Sequence, residues 1–229
     1  MTEISQMDWR PLWLSLEVGL AATIISLAIG TLLGYWIAQL GGSMRRWLSA
    51  LVLLPLALPP TVLGYFLLVA LGRRSPVGQL WEQFTGEPLV FTLKAAILAS
   101  CASAIPIVAR QLAAAFAATD KDVLEAARLD GAEGLPLFAH IYLPLVRLPL
   151  VAAAAIAFSR ALGDFGATLM VAGNLPGRTQ TAALAIYDRV NAGRDREALM
   201  LVAATTLLCL VVLLTAAALQ PEQERPSRL

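Results

Sequence analysis

The sequence predicts an all-α integral membrane protein with five transmembrane helices and leaves room for a sixth. Three observations carry that prediction. Hydrophobic residues are 58% of the 229 and charged residues only 14%, where soluble domains carry about 25% charged; mean hydropathy is +0.71. The apolar residues gather into runs long enough to cross the hydrocarbon layer, which takes about 20 helical residues. Between those runs lie short polar stretches, one of which has a distinctive spacing.

The first run, 12–40, is too long for a signal-peptide core and is preceded by Glu3 and Asp8 in place of a basic cluster, so it is expected to stay in the mature protein. In the second, 48–71, Pro55, Pro59 and Pro60 each remove a backbone donor. That helix is expected to break or kink within the membrane and to line the interior of an assembly, where neighbours or a hydrated cavity cover the freed carbonyls. The third, 91–117, carries Pro106, read either as a packing kink or as a point of motion. Its Lys94 and Arg110 lie near the ends, where long side chains snorkel to the interface.

Arg160 and Asp164 fall inside the fourth run, 148–172, where an ionisable group costs about 3 kcal/mol on insertion scales. Their spacing places them on one helix face. Either they neutralise each other, or Arg160 balances an anion passing nearby while Asp164 sets its orientation. Gly163 and Gly166 beside them let another helix approach closely. The segment 181–190 is too short to span and contains Asp188 and Arg189, so it reads as a re-entrant or interfacial helix. The fifth run is 198–219. Trp9, Trp13, Trp47 and Trp81 near run ends suit interfacial anchors. Cys101 and Cys209, inside apolar runs, read as small core residues.

Orientation does not follow from charge. With the termini on opposite sides, Arg45, Arg46, Lys121, Arg128, Arg147, Arg225 and Arg228 stand against Arg10, Arg73, Arg74, Arg178, Arg189, Arg194 and Arg196, so the positive-inside rule gives no direction.

The polar stretch 119–144 is read as a segment gripped by another protein. Thr119 or Asp120 caps a short helix whose first turn carries the acidic Asp122 and Glu125, and Gly131 stops it. A second short helix starts near Pro136, runs through Phe138 to Ile141 and is closed by Leu143 and Pro144. Ala126 and Ala127 add little bulk, so one face can enter a groove, with Glu125 and Arg128 free for polar contacts.

Glu125-Ala126-Ala127, Gly131, Ile141, Leu143 and Pro144 together resemble the Glu-Ala-Ala signature of the membrane subunits of ABC importers. The resemblance implies the type I permease fold for the whole chain, 1–229, with 119–144 as a cytoplasmic coupling segment seated in a cleft of a separate ATPase. A narrower resemblance, to the molybdate permeases of bacterial ABC importers, rests on the stretch from Leu54 to Tyr65, on Gly72-Arg73-Arg74, on Ala161 to Thr168 and on Asn174-Leu175-Pro176-Gly177. Asp164 stands where relatives are expected to carry Glu; the carboxylate chemistry is kept. Implied are a homodimer in the bacterial cytoplasmic membrane, N-terminus outside and C-terminus inside, two cytoplasmic ATPase subunits that bind ATP and Mg, and a periplasmic or extracellular oxyanion-binding protein.

Pro59, Pro60, Gly64, Arg160, Gly163, Asp164, Gly166 and Thr168 are the candidates for a translocation pathway or gate. Arg73, Arg74 and Arg178 are candidates for docking the binding protein or attracting the oxyanion, or are a solvated loop. No cofactor or metal is expected in the chain, since His140 has no ligand partners at suitable spacing. No Gly-x-x-x-x-Gly-Lys-Ser/Thr loop occurs, so ATP hydrolysis is expected elsewhere. A net charge of +1 without basic blocks gives no reason for nucleic acid. Two other classes are weighed: a sulfate or thiosulfate ABC permease, and an ATPase-independent secondary oxyanion transporter, for which internal repeats are the signal and none is found. A membrane enzyme lacks a visible constellation of nucleophile, base or metal ligands.

Overall fold

The computed structural model describes residues 8–219, and every regular element in it is helical. Glu3, Arg225 and Arg228 lie outside the described residues. Eleven helices follow in order: α1 Arg10–Gln39, α2 Gly42–Ala57, α3 Pro60–Leu71, α4 Pro76–Thr85, α5 Leu93–Ala117, α6 Lys121–Leu129, α7 Gly134–Leu145, α8 Arg147–Leu162, α9 Gly166–Ala172, α10 Ala182–Asn191 and α11 Asp195–Ala218. Helices α1, α5 and α11 are each long and apolar enough to cross a membrane. Two bent pairs, α2 with α3 and α7 with α8, bring the possible spans to five.

The centre of the molecule is α1 laid along α5. Small residues make this close approach possible. A Cβ on Gly30 would fall 2.7 Å from Val108 Cβ, and one on Gly34 would fall 2.9 Å from the Ala109 carbonyl oxygen. Ala22 and Ser26 on α1 and Ala95, Ala96, Ala99, Ala104 and Ala109 on α5 are fully buried. Without a hydrophobic drive between helices in lipid, such backbone proximity is what holds them. Pro106 does not break α5: the helix continues through it with the ring buried, because neighbouring helices cover the gap.

Between α2 and α3 the chain breaks as expected. Leu58 and Pro59 each precede a proline and are extended, with ψ of 145° and 138°, and the two helices meet at 103°. Pro55 is tolerated inside α2, so the break is made by the adjacent Pro59 and Pro60 alone.

The fourth apolar run departs from expectation. In place of one helix over 148–172, α8 ends at Gly163 and α9 restarts at Gly166. Asp164 makes the break: its Oδ2 accepts from the Thr168 backbone N–H at 3.1 Å and from the Thr168 hydroxyl at 2.6 Å, an alternative to continuing the helix. Helix α10 has 10 residues, about 15 Å, and is too short to span; its first amide, Ala182 N–H, donates to Ser15 Oγ at 2.7 Å, which fixes it to the start of α1. Lys94 lies over the Trp81 ring at 5.0 Å, and the exposed Trp13 and Trp47 suit the anchoring role.

Candidate functional site

The segment 119–144 folds as its residue types dictate. Asp120 caps α6, its Oδ1 accepting from Asp122 N–H at 3.0 Å, with Asp122 in the first turn and Arg128 in the last to complement the helix dipole. Gly131 takes φ of 86°, a left-handed conformation natural to glycine. Two hydrogen bonds close the end, Ala132 N–H to the Ala127 carbonyl and Gly131 N–H to the Arg128 carbonyl, both at 3.0 Å.

Helix α7 then runs past the expected closure. It continues through Leu143 and Pro144 to Leu145 before turning by 75° at Val146 into α8. A widened turn over Phe138–Tyr142, with Leu143 N–H donating to the Phe138 carbonyl, sits just before Pro144 and accommodates its missing donor. His140 is exposed, its Nδ1 3.2 Å from the Pro136 carbonyl oxygen.

The two short helices divide their residues between two faces. Glu125, Ala126, Gly131 and Pro144 are exposed; Ala127 and Ile141 are half-buried against the core, and Leu143 is half-buried. Ala127 is therefore part of the inner face, so Ala126 alone of the alanine pair offers an open, slim surface. Val123 and Leu129, three residues to either side of Ala126 on α6, are exposed, Leu129 at 89%, as is Leu135 on α7.

Sequence reasoning missed what lies beneath. Leu124 and Leu137 close over a cluster in which Tyr35 of α1 meets Phe116 of α5 and Phe138 and Tyr142 of α7, with ring centroids 5.6, 4.9 and 5.2 Å from its own. Edge-on aromatic pairs of this kind contribute about 0.5–1.5 kcal/mol each beyond their area burial. Gln39, the last residue of α1, donates from Nε2 to the Tyr142 hydroxyl at 3.0 Å. The only local signal was the four-residue spacing of Phe138 and Tyr142; the partners are remote in sequence.

A second constellation forms where the broken helices meet. A Cβ on Gly64 of α3 would fall 2.7 Å from Met170 Cβ and 3.0 Å from Ala167 Cα, and one on Gly166 would fall 2.8 Å from Pro60 Cβ. Pro60, Gly64 and Gly166 are thus brought to one contact of α3 with α9, next to the exposed Pro59, while Thr168, also on α9, is buried and bound to Asp164. Asp164 is 2% exposed, and Arg160 Nη1 reaches its Oδ1 at 3.4 Å from a side chain 31% exposed. Both Asp164 oxygens are held by internal donors, so this carboxylate ties α8 to α9. Gly163 is exposed at the junction.

Arg73 and Arg178 line one depression of about 520 Å³ together with Glu87 and Phe91; Arg74 is not part of it. Arg73 also pairs with Glu82 at 3.2 Å. This depression and the 119–144 segment lie at opposite ends of α1: Gly177, next to Arg178, approaches Arg10 at its start, while Gln39 at its end holds Tyr142. Thirty residues of helix put about 45 Å between them. Also at the first end, Arg189 is buried, held by Glu197 at 3.3 Å and by the Asp8 carbonyl oxygen at 3.2 Å.

Residues 30–225 match the family described as binding-protein-dependent transport system inner membrane component. The chain is 38% identical to YvgM of Bacillus subtilis (strain 168) over 90% of its length and 88% of that protein. It is 36% identical to the molybdenum transport system permease protein ModB of Azotobacter vinelandii, over 92% of its length and 93% of that protein. Among solved structures it is similar to the MetNI methionine ABC transporter in an inward-facing crystal form, with a TM-score of 0.73 at 18% identity, covering 95% of this chain and 97% of that one.

Proposed function

The chain belongs to the family of binding-protein-dependent transport system inner membrane components, and from that premise we propose that it is the membrane-spanning subunit of an ATP-driven importer of molybdate or tungstate. Support for the cargo comes from the Azotobacter vinelandii relative, named a molybdenum transport permease, which matches nearly end to end. The observation that carries the transport mechanism is the exposed 119–144 unit: a capped hairpin with an apolar outer rim at Val123, Leu129 and Leu135, rooted in an aromatic cluster shared by α1, α5 and α7.

In this reading two copies of the chain form the pathway between them, and two separate ATPase subunits, which bind ATP and Mg, seat the α6 corner in the cytoplasm. An oxyanion-binding protein delivers cargo at the other end, where Arg73 and Arg178 share a depression. The N-terminus is then outside and the C-terminus inside. ATPase closure displaces α6; Tyr35, Phe116, Phe138 and Tyr142 move with it as one body, and α8 carries the displacement to the contact of α3 with α9. Arg160 and Asp164 keep α8 and α9 together during that movement.

The test is uptake of labelled molybdate, tungstate and sulfate into proteoliposomes holding this chain with its ATPase and binding protein. ATP-dependent uptake of molybdate or tungstate ahead of sulfate is expected. Uptake that persists without the ATPase would overturn the proposal.

A further inference from the structure

We propose that the groove between α1, α2 and α5 is a binding site for an anionic phospholipid, whose phosphate is held by Arg45 and Arg110. The groove encloses about 270 Å³ and is walled by Ile37, Val52, Leu53 and Ala113, with the two arginines on its lining. Ser49 is the one other polar residue on this lining, and Ala114 completes its apolar part. Basic pockets between membrane helices on the cytoplasmic side hold anionic headgroups in this way.

Three observations favour a lipid. First, neither Arg45 nor Arg110 forms an ion pair among the described residues. Second, the walls supply no acid: residues 18–81 contain neither Asp nor Glu, and α5 contains none along its length. Glu17 is the one acidic residue on α1, and it stands 20 residues, about 30 Å, before Ile37. Third, α2 has no buried residue, and its half-buried Ser49, Val52 and Leu53 line the groove without closing it.

Depth agrees with this occupant. Arg45 is in the first turn of α2, and Arg110 lies seven residues, about 10 Å, before the end of α5. Long side chains at such depths extend toward the headgroup layer, and the exposed Trp47 beside Arg45 marks that layer. A second copy seated here through its own α2 or α5 would bury two arginines against helices that carry no acidic residue. The end of the molecule is the one that carries Gln39 and Tyr142. That the lipid comes from the cytoplasmic leaflet rests on the orientation proposed above; the site rests on the groove itself.

Native mass spectrometry of the delipidated full-length chain, titrated with dioleoyl phosphatidylglycerol or dioleoyl phosphatidylcholine, tests the site without any transport measurement. Two phosphate contacts predict retention of phosphatidylglycerol about tenfold or more above phosphatidylcholine. In the double variant Arg45→Gln/Arg110→Gln that preference is expected to vanish, while Arg45→Lys/Arg110→Lys keeps part of it. Should the glutamine variant fail to fold, photo-crosslinkable phosphatidylglycerol on the unaltered chain must label peptides of α2 and α5. Equal retention of the two lipids, labelling elsewhere, displacement by millimolar inorganic phosphate alone, or a double variant that loses self-association yet keeps its lipid would each overturn the inference.

Discussion

The pair α1 and α5 and the pair α3 and α9 are built from the same small residues and prolines, yet one is a continuous slab and the other is a junction of fragments. In the slab, Gly30 and Gly34 meet Val108 and Ala109 along two unbroken helices, and Pro106 passes without interruption. At the junction, Gly64 and Gly166 meet Met170 and Pro60 where each chain has just turned a corner. The difference lies in what adjoins the small residues. A single buried proline removes one hydrogen bond; adjacent Pro59 and Pro60 force two successive residues into extended backbone. Asp164 likewise gives the following helix a new start. Continuity suits a part that transmits displacement, and fragments suit a part that opens.

The largest effect is expected from filling the slab. Gly30→Leu would drive a side chain into Val108 and is expected to abolish accumulation of folded protein, whereas Gly30→Ala is expected to destabilise by about 1–3 kcal/mol. Thermal melting of the purified chain in detergent reads both. A normal melting temperature for Gly30→Leu would break the contrast. At the junction, Gly64→Ala meets Met170 and Ala167 as closely, but α3 is exposed on its other side and can yield. Folded protein with uptake reduced well below wild type is the expected result there, measured in proteoliposomes against melting of the same sample.

Removal of the Asp164 carboxylate that ties α8 to α9 comes next. Asp164→Ala strands the buried Thr168 donors and leaves Arg160 without its partner, at a cost of about 1–3 kcal/mol. Hydrogen exchange over α9 checks it, and faster exchange confined to α8 and α9 is expected. Tyr142→Phe removes only the bond to Gln39 and keeps the ring, so about 0.5–1.5 kcal/mol is expected. Its sharper readout is the number of ATP molecules consumed per oxyanion imported, which should rise as α1 is released from α7. The smallest effect is Asp120→Ala, the loss of one helix cap, about 1 kcal/mol and local to α6.

Much of the fold was legible because it is written in local terms. Run lengths located α1, α5 and α11, paired prolines located the break before α3, and Asp120 and Gly131 bounded α6. The break at Gly163 was not legible, since Ser159, Arg160, Asp164 and Thr168 are the only polar residues of the apolar run 148–172, and only the hydrogen bonds of Asp164 to Thr168 reveal that the carboxylate ends one helix and begins another. Pro144 reads locally as a stop, but the widened turn before it lets the helix go on to Leu145. Of the candidate site, the exposed residues Glu125, Ala126 and Gly131 followed from spacing. The cluster under them did not, because Tyr35, Phe116, Phe138 and Tyr142 are brought together by tertiary packing, and nothing in the neighbourhood of Tyr35 marks it out. Of the three arginines grouped by charge, Arg73 and Arg178 share one depression and Arg74 lies outside it.

The central claim is that movement of the α6 corner drives the distant junction. Its most direct test replaces Gly131 by Val and Glu125 by Ala in the full assembly and measures binding-protein-stimulated ATP hydrolysis together with oxyanion uptake. A left-handed glycine position that tolerates no branched side chain should lose its corner, and both activities should collapse together in a transporter that still melts normally. Undiminished uptake from a chain carrying both substitutions would contradict the account.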